Sequence, residues 1–210
     1  MSEPASATTT LHALPVASRH SEAWANGTGS TTLLLREPDN ESWRIRASIA
    51  QVEHDGPFSE LPNTRRLLVP LDAAMELLFP QGRVLHTNRF GVLNFEGAPA
   101  PSGTLPEGPT RDFNLMLRGD ARGELFARTL VDSMVLPPEP GTRWLVYLNR
   151  GYATLSAGEA TLALEPDDAT LLIFPAGIPG ERAVIEGAGE LVLAKLYPDL
   201  AIFHDRRSMF

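Results

Sequence analysis

"EGPTRDFNLMLRG", Glu107 to Gly119, decides the class of fold. With the period of two that a β-strand imposes, Phe113, Leu115 and Leu117 share one face, while Asp112, Asn114, Met116 and Arg118 share the other. The first face is core. The second carries an acid, an amide, a thioether and a guanidinium in a row, and it either meets bulk water or lines something. Ordinary solvated strands alternate in the same way. Met116 weighs toward a lined space, because a thioether gains nothing from water and often fills an irregular apolar gap.

The same pattern recurs upstream. In "SWRIRASIAQ", Ser42 to Gln51, Trp43, Ile45, Ala47 and Ile49 form an apolar face, and Arg44, Arg46 and Ser48 share the opposite one. Short runs rich in Val, Leu, Ile and Phe alternate with the 18 prolines and 17 glycines along the whole chain, and few stretches hold a helical period. The chain is therefore expected to be all-β. Strands are expected at 31–36, 42–52, 66–71, 74–79, 82–86, 91–95, 111–118, 123–129, 142–149, 151–156, 159–164, 169–174, 181–186 and 190–197. Gly97 to Thr110 reads as a surface loop, and a short helix is suggested around Asp199 to Asp205.

The two parts of the chain look related. Arg66, Leu68, Val69 and Leu71 have counterparts in Arg143, Leu145, Val146 and Leu148, and "NFEG", Asn94 to Gly97, has one in "FPAG", Phe174 to Gly177. Duplication would give two small antiparallel sandwiches or barrels, whose closure protects strand edges. The expected division is a disordered tail over 1–15, an N-terminal half over 16–134, a Pro-rich linker over 135–142, a C-terminal half over 143–198 and a second tail over 199–210. The C-terminal half by itself resembles a cupin, with its hairpins, Pro-Asp-Asp turn and Phe-Pro-Ala-Gly ending. It lacks the clustered histidines of a metal-binding cupin, and Gly180 stands where the later one would fall.

Composition narrows the chemistry. A net charge of −8 opposes nucleic-acid binding and anionic membrane surfaces, both of which need a basic face. With no cysteine there is no disulfide, thiolate nucleophile or thiolate metal site. No apolar segment approaches the ~20 residues of a membrane span, and "MSEPASATTT" is no signal peptide, so a cytoplasmic location is expected. The five histidines, His12, His20, His54, His86 and His204, form no ligand pair, so no metal and no cofactor is expected. His54 precedes an Asp-Gly-Pro turn, and His86 is the histidine most worth inspection. "WANGTGST", Trp24 to Thr31, has no Lys after its glycines and reads as a tight turn rather than a phosphate loop.

One arginine stands out. A turn-rich segment from His54 delivers Arg66 directly into Leu67, Leu68 and Val69, a run apolar enough to be buried on both faces. An arginine at the mouth of a buried strand must be paired or solvated. Its fork suits a carboxylate in two-point fashion, whether an internal one such as Asp112 or that of an acidic ligand.

Taken in order, "WANGTGST", "IRASIA", "DGPFSELPNTRR", "NFEG" and "RDFNLMLR" resemble the HutD/Ves family of cupin-like proteins. The likeness runs from about Trp24 to Arg118, with a consistent remainder to about Tyr197. It implies a metal-free bicupin of two RmlC-like jelly-roll halves, often a homodimer. HutD is tied to bacterial histidine utilisation, which implies binding of an intermediate of the urocanate or formylglutamate type. Its role would be restraint of the pathway rather than catalysis. Ves is linked to stress responses. Residue by residue, the resemblance implies a pocket drawn from Trp24, Asn26, Thr31, Arg46, Ser48, Phe58, Ser59, Arg66, Asp112, Asn114, Met116 and Arg118. The chain departs from the family at Leu33, where an acid is usual, at Ala73, where Gly is frequent, and at Ile45, where Trp is common. Loss of the acid at Leu33 either frees an arginine for a ligand or changes the pocket's preference.

Three functions fit these residues. A binding module for a small carboxylate would use Arg66 for the acid, Asn114 and Ser48 for neutral hydrogen bonds, and Phe58, Trp24 and Met116 for an apolar or ring portion. An isomerase or hydrolase acting on a related acid would need Asp112 as proton carrier, since the motifs contain no histidine. An interaction role, of a Ves-like kind, would turn the polar strand faces toward a partner chain.

Overall fold

The computed structural model describes residues 8–16, 19–24, 29–177 and 180–198, and its regular elements are all β-strands. In chain order they are β1 (Thr10–Leu14), β2 (Ser21–Ala23), β3 (Gly29–Glu37), β4 (Ile45–Val52), β5 (Gly56–Pro57), β6 (Thr64–Pro70), β7 (Met75–Leu78) and β8 (Val84–Thr87). They continue with β9 (Leu93–Glu96), β10 (Ser102–Thr104), β11 (Thr110–Arg118), β12 (Gly123–Leu136), β13 (Arg143–Ala157), β14 (Ala160–Leu164), β15 (Ala169–Ile173) and β16 (Ala183–Leu196). Among the described residues, no helix is long and apolar enough to cross a membrane.

Two compact units divide the chain. One consists of Val16–Gly119 with Leu125–Ala127. It contains a six-stranded sheet in the order β2-β3-β4-β11-β6-β9 and a four-stranded sheet in the order β5-β10-β7-β8. Ala50, Val52, Leu68, Leu93 and Phe95 from the first sheet pack with Met75 and Leu77 from the second, and Phe79 completes the cluster. β11 is central, antiparallel to both β4 and β6, so that Asn114 stands opposite Ser48 on one side and Leu68 on the other. Both faces of β11 are buried: Phe113, Leu115 and Leu117 on one, Asp112, Asn114 and Met116 on the other.

The other unit consists of Met1–Pro15, Asp120–Glu124 and Arg128–Phe210. Its sheet runs β1-β15-β13-β16-β12, with β14 also paired to β13. β13 and β16 are long enough to pair along their whole length, with a register shift between Leu148 and Arg150. Gly151 follows that bulge at φ +92°, and a Cβ there would lie 2.1 Å from the carbonyl oxygen of Ala188. Only glycine fits.

Several expectations need correction. Thr10–Leu14, placed in a disordered tail, is a strand paired in register with β15, Thr10 opposite Ile173 and Leu14 opposite Ala169. Composition could not reveal it, because its partner lies some 160 residues along the chain. The boundary between units falls around Gly119–Arg128 rather than at 135–142. Val135 and Leu136 end β12, and the prolines that follow form a turn in which Thr142 N donates to Glu139 O at 3.1 Å. The loop expected over Gly97–Thr110 contains β10, a strand of Ser, Gly and Thr with no apolar alternation to betray it. Asn26 and the helix suggested at 199–205 lie outside the described residues.

Candidate functional site

A cavity of about 420 Å³ opens in the two-sheet unit. Its polar wall is the face that the alternation in "RDFNLMLR" set apart: Asp112, Asn114 and Met116 from β11, with Arg46 and Ser48 from β4 and Arg66 from β6. Trp24 and Thr31 close one side and Phe58 and Ser59 another. The volume falls within the range of small-molecule pockets.

Local chemistry fixes each contributor. Gly29 opens β3 where a Cβ would lie 2.0 Å from the Gln51 carbonyl oxygen and 3.0 Å from the Trp24 ring, so glycine lets the indole lie close to the sheet. The indole Nε1 then donates to Thr31 Oγ1 at 2.7 Å. The segment after β4 is held by its backbone: Phe58 N donates to Pro101 O at 2.9 Å and Leu61 N to Gly97 O at 2.8 Å. Asp55 of the Asp-Gly-Pro turn accepts from Leu105 N at 2.8 Å. Gly103 makes room for the Phe58 ring, since a Cβ there would stand 2.7 Å from Cε2.

At the centre lies a row of three side chains. Arg66, 4% exposed, donates from Nη2 to Asn114 Oδ1 at 2.9 Å, and Asn114 Nδ2 donates in turn to Asp112 Oδ1. The demands at the two ends fix the amide's orientation, since a guanidinium only donates and an ionised carboxylate only accepts. The guanidinium carbon lies 4.9 Å from the Phe58 ring centre and 5.3 Å from that of Phe95. Two buried atoms of this row have no hydrogen-bond partner in the protein, Arg66 Nε and Asp112 Oδ2.

Burial governs the charges. Desolvation raises the Asp112 carboxyl to about 7, with the nearby Arg66 charge and the Asn114 hydrogen bond pulling the other way. Desolvation likewise lowers Arg66 to about 10, opposed by Asp112 and assisted by Arg46. Arg46 is itself lowered, first by burial. Both arginines remain cationic at neutral pH, whereas the buried Asp112 carboxyl is partly neutral. The polar wall therefore favours an anion.

The model of the family described as HutD matches residues 16–193. This chain belongs to the HutD family. Protein Ves from Cronobacter sakazakii is 33% identical over 99 residues, covering 46% of this chain and 55% of that protein. Protein Ves from Citrobacter koseri is 32% identical over 100 residues, covering 46% and 52%. The matched stretch thus spans about half the length of these curated relatives. Among solved structures, a conserved protein of unknown function from Pseudomonas aeruginosa PAO1 has a TM-score of 0.80 at 21% identity, covering 90% of this chain and all of that one. HutD from Pseudomonas fluorescens SBW25 has 0.73 at 20%, with the same coverage. A bacterial pirin from Escherichia coli in complex with nickel(II) has 0.65 at 10%, covering 91% of this chain and 100% of that one. These neighbours share an all-β, cupin-like and pirin-like fold with this chain.

Against the site expected from the HutD resemblance, ten residues meet at the cavity: Trp24, Thr31, Arg46, Ser48, Phe58, Ser59, Arg66, Asp112, Asn114 and Met116. Arg118 does not. Its guanidinium stacks 3.5 Å from the centre of the Trp43 ring and donates to Thr64 Oγ1 at 3.3 Å. The strand period puts Arg118 on the right face but at the end of β11, where the cavity has ended. Sequence reading missed Ala50, Val52, His54, Gly56, Pro57 and Leu61 in the lining. Ala50 continues the Arg46 and Ser48 period and was findable; His54 is brought in only by the turn that follows it.

Asp112 could have been Arg66's internal partner, but Asn114 stands between them. The departures from the family pattern sit in ordinary positions: Leu33 opposite Ser48 beside a bulge in β3, Ile45 and Ala73 buried. His86, singled out by sequence, pairs at 3.2 Å with Glu76 on an exposed surface. Among the described residues, no three His, Cys, Asp or Glu side chains are grouped so that they could hold a metal ion.

Proposed function

We propose that the chain is a metal-free binding protein for a small carboxylate, of the urocanate or formylglutamate type. In this reading it modulates histidine utilisation in the cytoplasm rather than catalysing a step. Arg66 grips the acid through Nε and the free edge of its fork, Ser48 and Asn114 supply neutral hydrogen bonds, and Trp24, Phe58 and Met116 cover the apolar portion. The proposed scaffold is a bicupin that uses no cofactor and pairs with a second copy.

One observation carries this reading: a buried guanidinium, backed by two aromatic rings and not clamped by an acid, faces a cavity of ligand size. Leaving a buried donor unmade costs about 1–3 kcal/mol, and an anion placed there would recover that cost. Family membership supports the same reading. The test is a thermal-melting screen against urocanate, formylglutamate, formiminoglutamate, histidine and simple carboxylates. A ligand at ~100 times its dissociation constant adds about 2.7 kcal/mol of stability. No shift with any acid would leave the interaction role as the better account.

The raised Asp112 favours a second reading, an isomerase or hydrolase, since a carboxyl near 7 is poised for proton transfer. Incubating each of the same acids with the protein and following product by mass spectrometry decides between turnover and binding.

A further inference from the structure

The cavity holds two unmet hydrogen-bonding demands of opposite kind. Arg66 Nε is a donor without an acceptor, and Asp112 Oδ2 is a carboxyl oxygen without a donor. Both residues line the cavity and both are more than nine-tenths buried, Asp112 completely. Asn114 keeps them from satisfying each other, because its amide occupies Arg66 Nη2 on one side and Asp112 Oδ1 on the other. No other side chain of the wall makes a hydrogen bond to Asp112 Oδ2, and Ala50 and Pro70 stand opposite Asp112 on the neighbouring strands.

We infer that Asp112 is the specificity-determining residue of this site, and that it selects acids carrying an N–H or O–H donor in addition to their carboxylate. The inference rests on the carboxylate-binding reading and deepens it. An anionic oxygen on Arg66 Nε satisfies only one pole. With Asp112 ionised, a plain carboxylate leaves Oδ2 unpaired and places a second negative charge beside it. An acid whose amide or ring N–H reaches Oδ2 satisfies both, and a site built around such a bond rejects the analogue that lacks it. The charged and titratable groups that share the cavity with Asp112 are Arg66 from β6, Arg46 from β4 and His54 from the segment after β4. The two arginines compensate the combined charge of Asp112 and a bound acid.

The test compares acids that differ only by N–H against CH₂. N-Acetylglycine is paired with levulinate, and N-acetyl-β-alanine with 5-oxohexanoate, the two pairs differing in the spacing between donor and carboxylate. Calorimetric titration of the wild-type chain at pH 8.5, where Asp112 is ionised, should give at least one pair in which the amide binds about tenfold tighter or better. Asp112→Val should collapse that ratio to near one. The wild-type ratios need no variant, so a misfolded Asp112→Val does not remove the test, and Asp112→Asn serves as its polar replacement. Equal affinities within both wild-type pairs, or a ratio untouched by the Asp112 substitutions, would overturn the inference and leave the carboxylate reading standing. If none of the four acids binds, both fall together.

Discussion

Arg66 and Asp112 face the same cavity from neighbouring strands, and Asn114 separates them by taking one hydrogen bond from the guanidinium and giving one to the carboxyl. A direct ion pair would have closed the site electrostatically. The intervening amide leaves a cation with an unused donor edge and an acid that burial holds partly neutral, a combination that makes the wall attractive to anions.

Replacing Arg66 with Lys tests the fork rather than the charge. A single ammonium cannot hold Asn114 Oδ1 and also present a planar edge to a carboxylate. Affinity for the best acid from the melting screen should fall about tenfold, with folding retained. Affinity unchanged in a calorimetric titration would show that charge alone suffices.

Asp112 makes a pH prediction with a definite sign. Its pKa is raised from 3.8 in the unfolded chain to about 7 in the folded one. Between those values the folded state holds the proton that the unfolded state has lost, so this group makes stability decline as pH rises from about 4 to about 7. It contributes no slope outside that window. Asp112→Asn removes the effect, so its urea midpoint should gain on the wild type across the window and run parallel to it above pH 7. Parallel curves throughout would mean that Asp112 is not protonated in the folded chain.

Gly103→Ala reaches the site without touching a polar group. Its new Cβ meets Phe58 Cε2 at 2.7 Å and must push the ring, which also rests on the Arg66 guanidinium. Overpacking of this kind costs about 1–3 kcal/mol. A lowered melting temperature together with weaker acid binding is expected. Loss of stability with binding intact would show that Phe58 does not cover the ligand.

Arg118 supplies the contrast. Arg118→Ala gives up the stacking on Trp43 and the bond to Thr64, at a cost of about 1 kcal/mol. Ligand affinity should stay within twofold of wild type in the same titration. A larger loss would return Arg118 to the site.

The site was legible in the sequence where strand period governs it. Alternation alone grouped Asp112 with Asn114 and Met116, and Arg46 with Ser48, and all five line the cavity. It overreached at Arg118, because period assigns a face but not where along the strand a cavity stops. It could not find β1 or β10, whose pairing is supplied by distant backbone rather than by their own side chains. Nor could it place Asn114 between Arg66 and Asp112, since which of two acceptors a long arginine reaches depends on register with β6. The segment boundary was misread because prolines at 137 and 138 mark a turn within one unit as readily as a link between two.

The most direct measurement is a paired calorimetric titration of wild type and Arg66→Ala with the acid that stabilises the protein most in the melting screen. The account requires saturable binding to the wild type and none detectable to the variant, with the variant still folded by circular dichroism. Equal affinity in the two proteins would contradict it, because the anion would then be held by something other than this buried guanidinium.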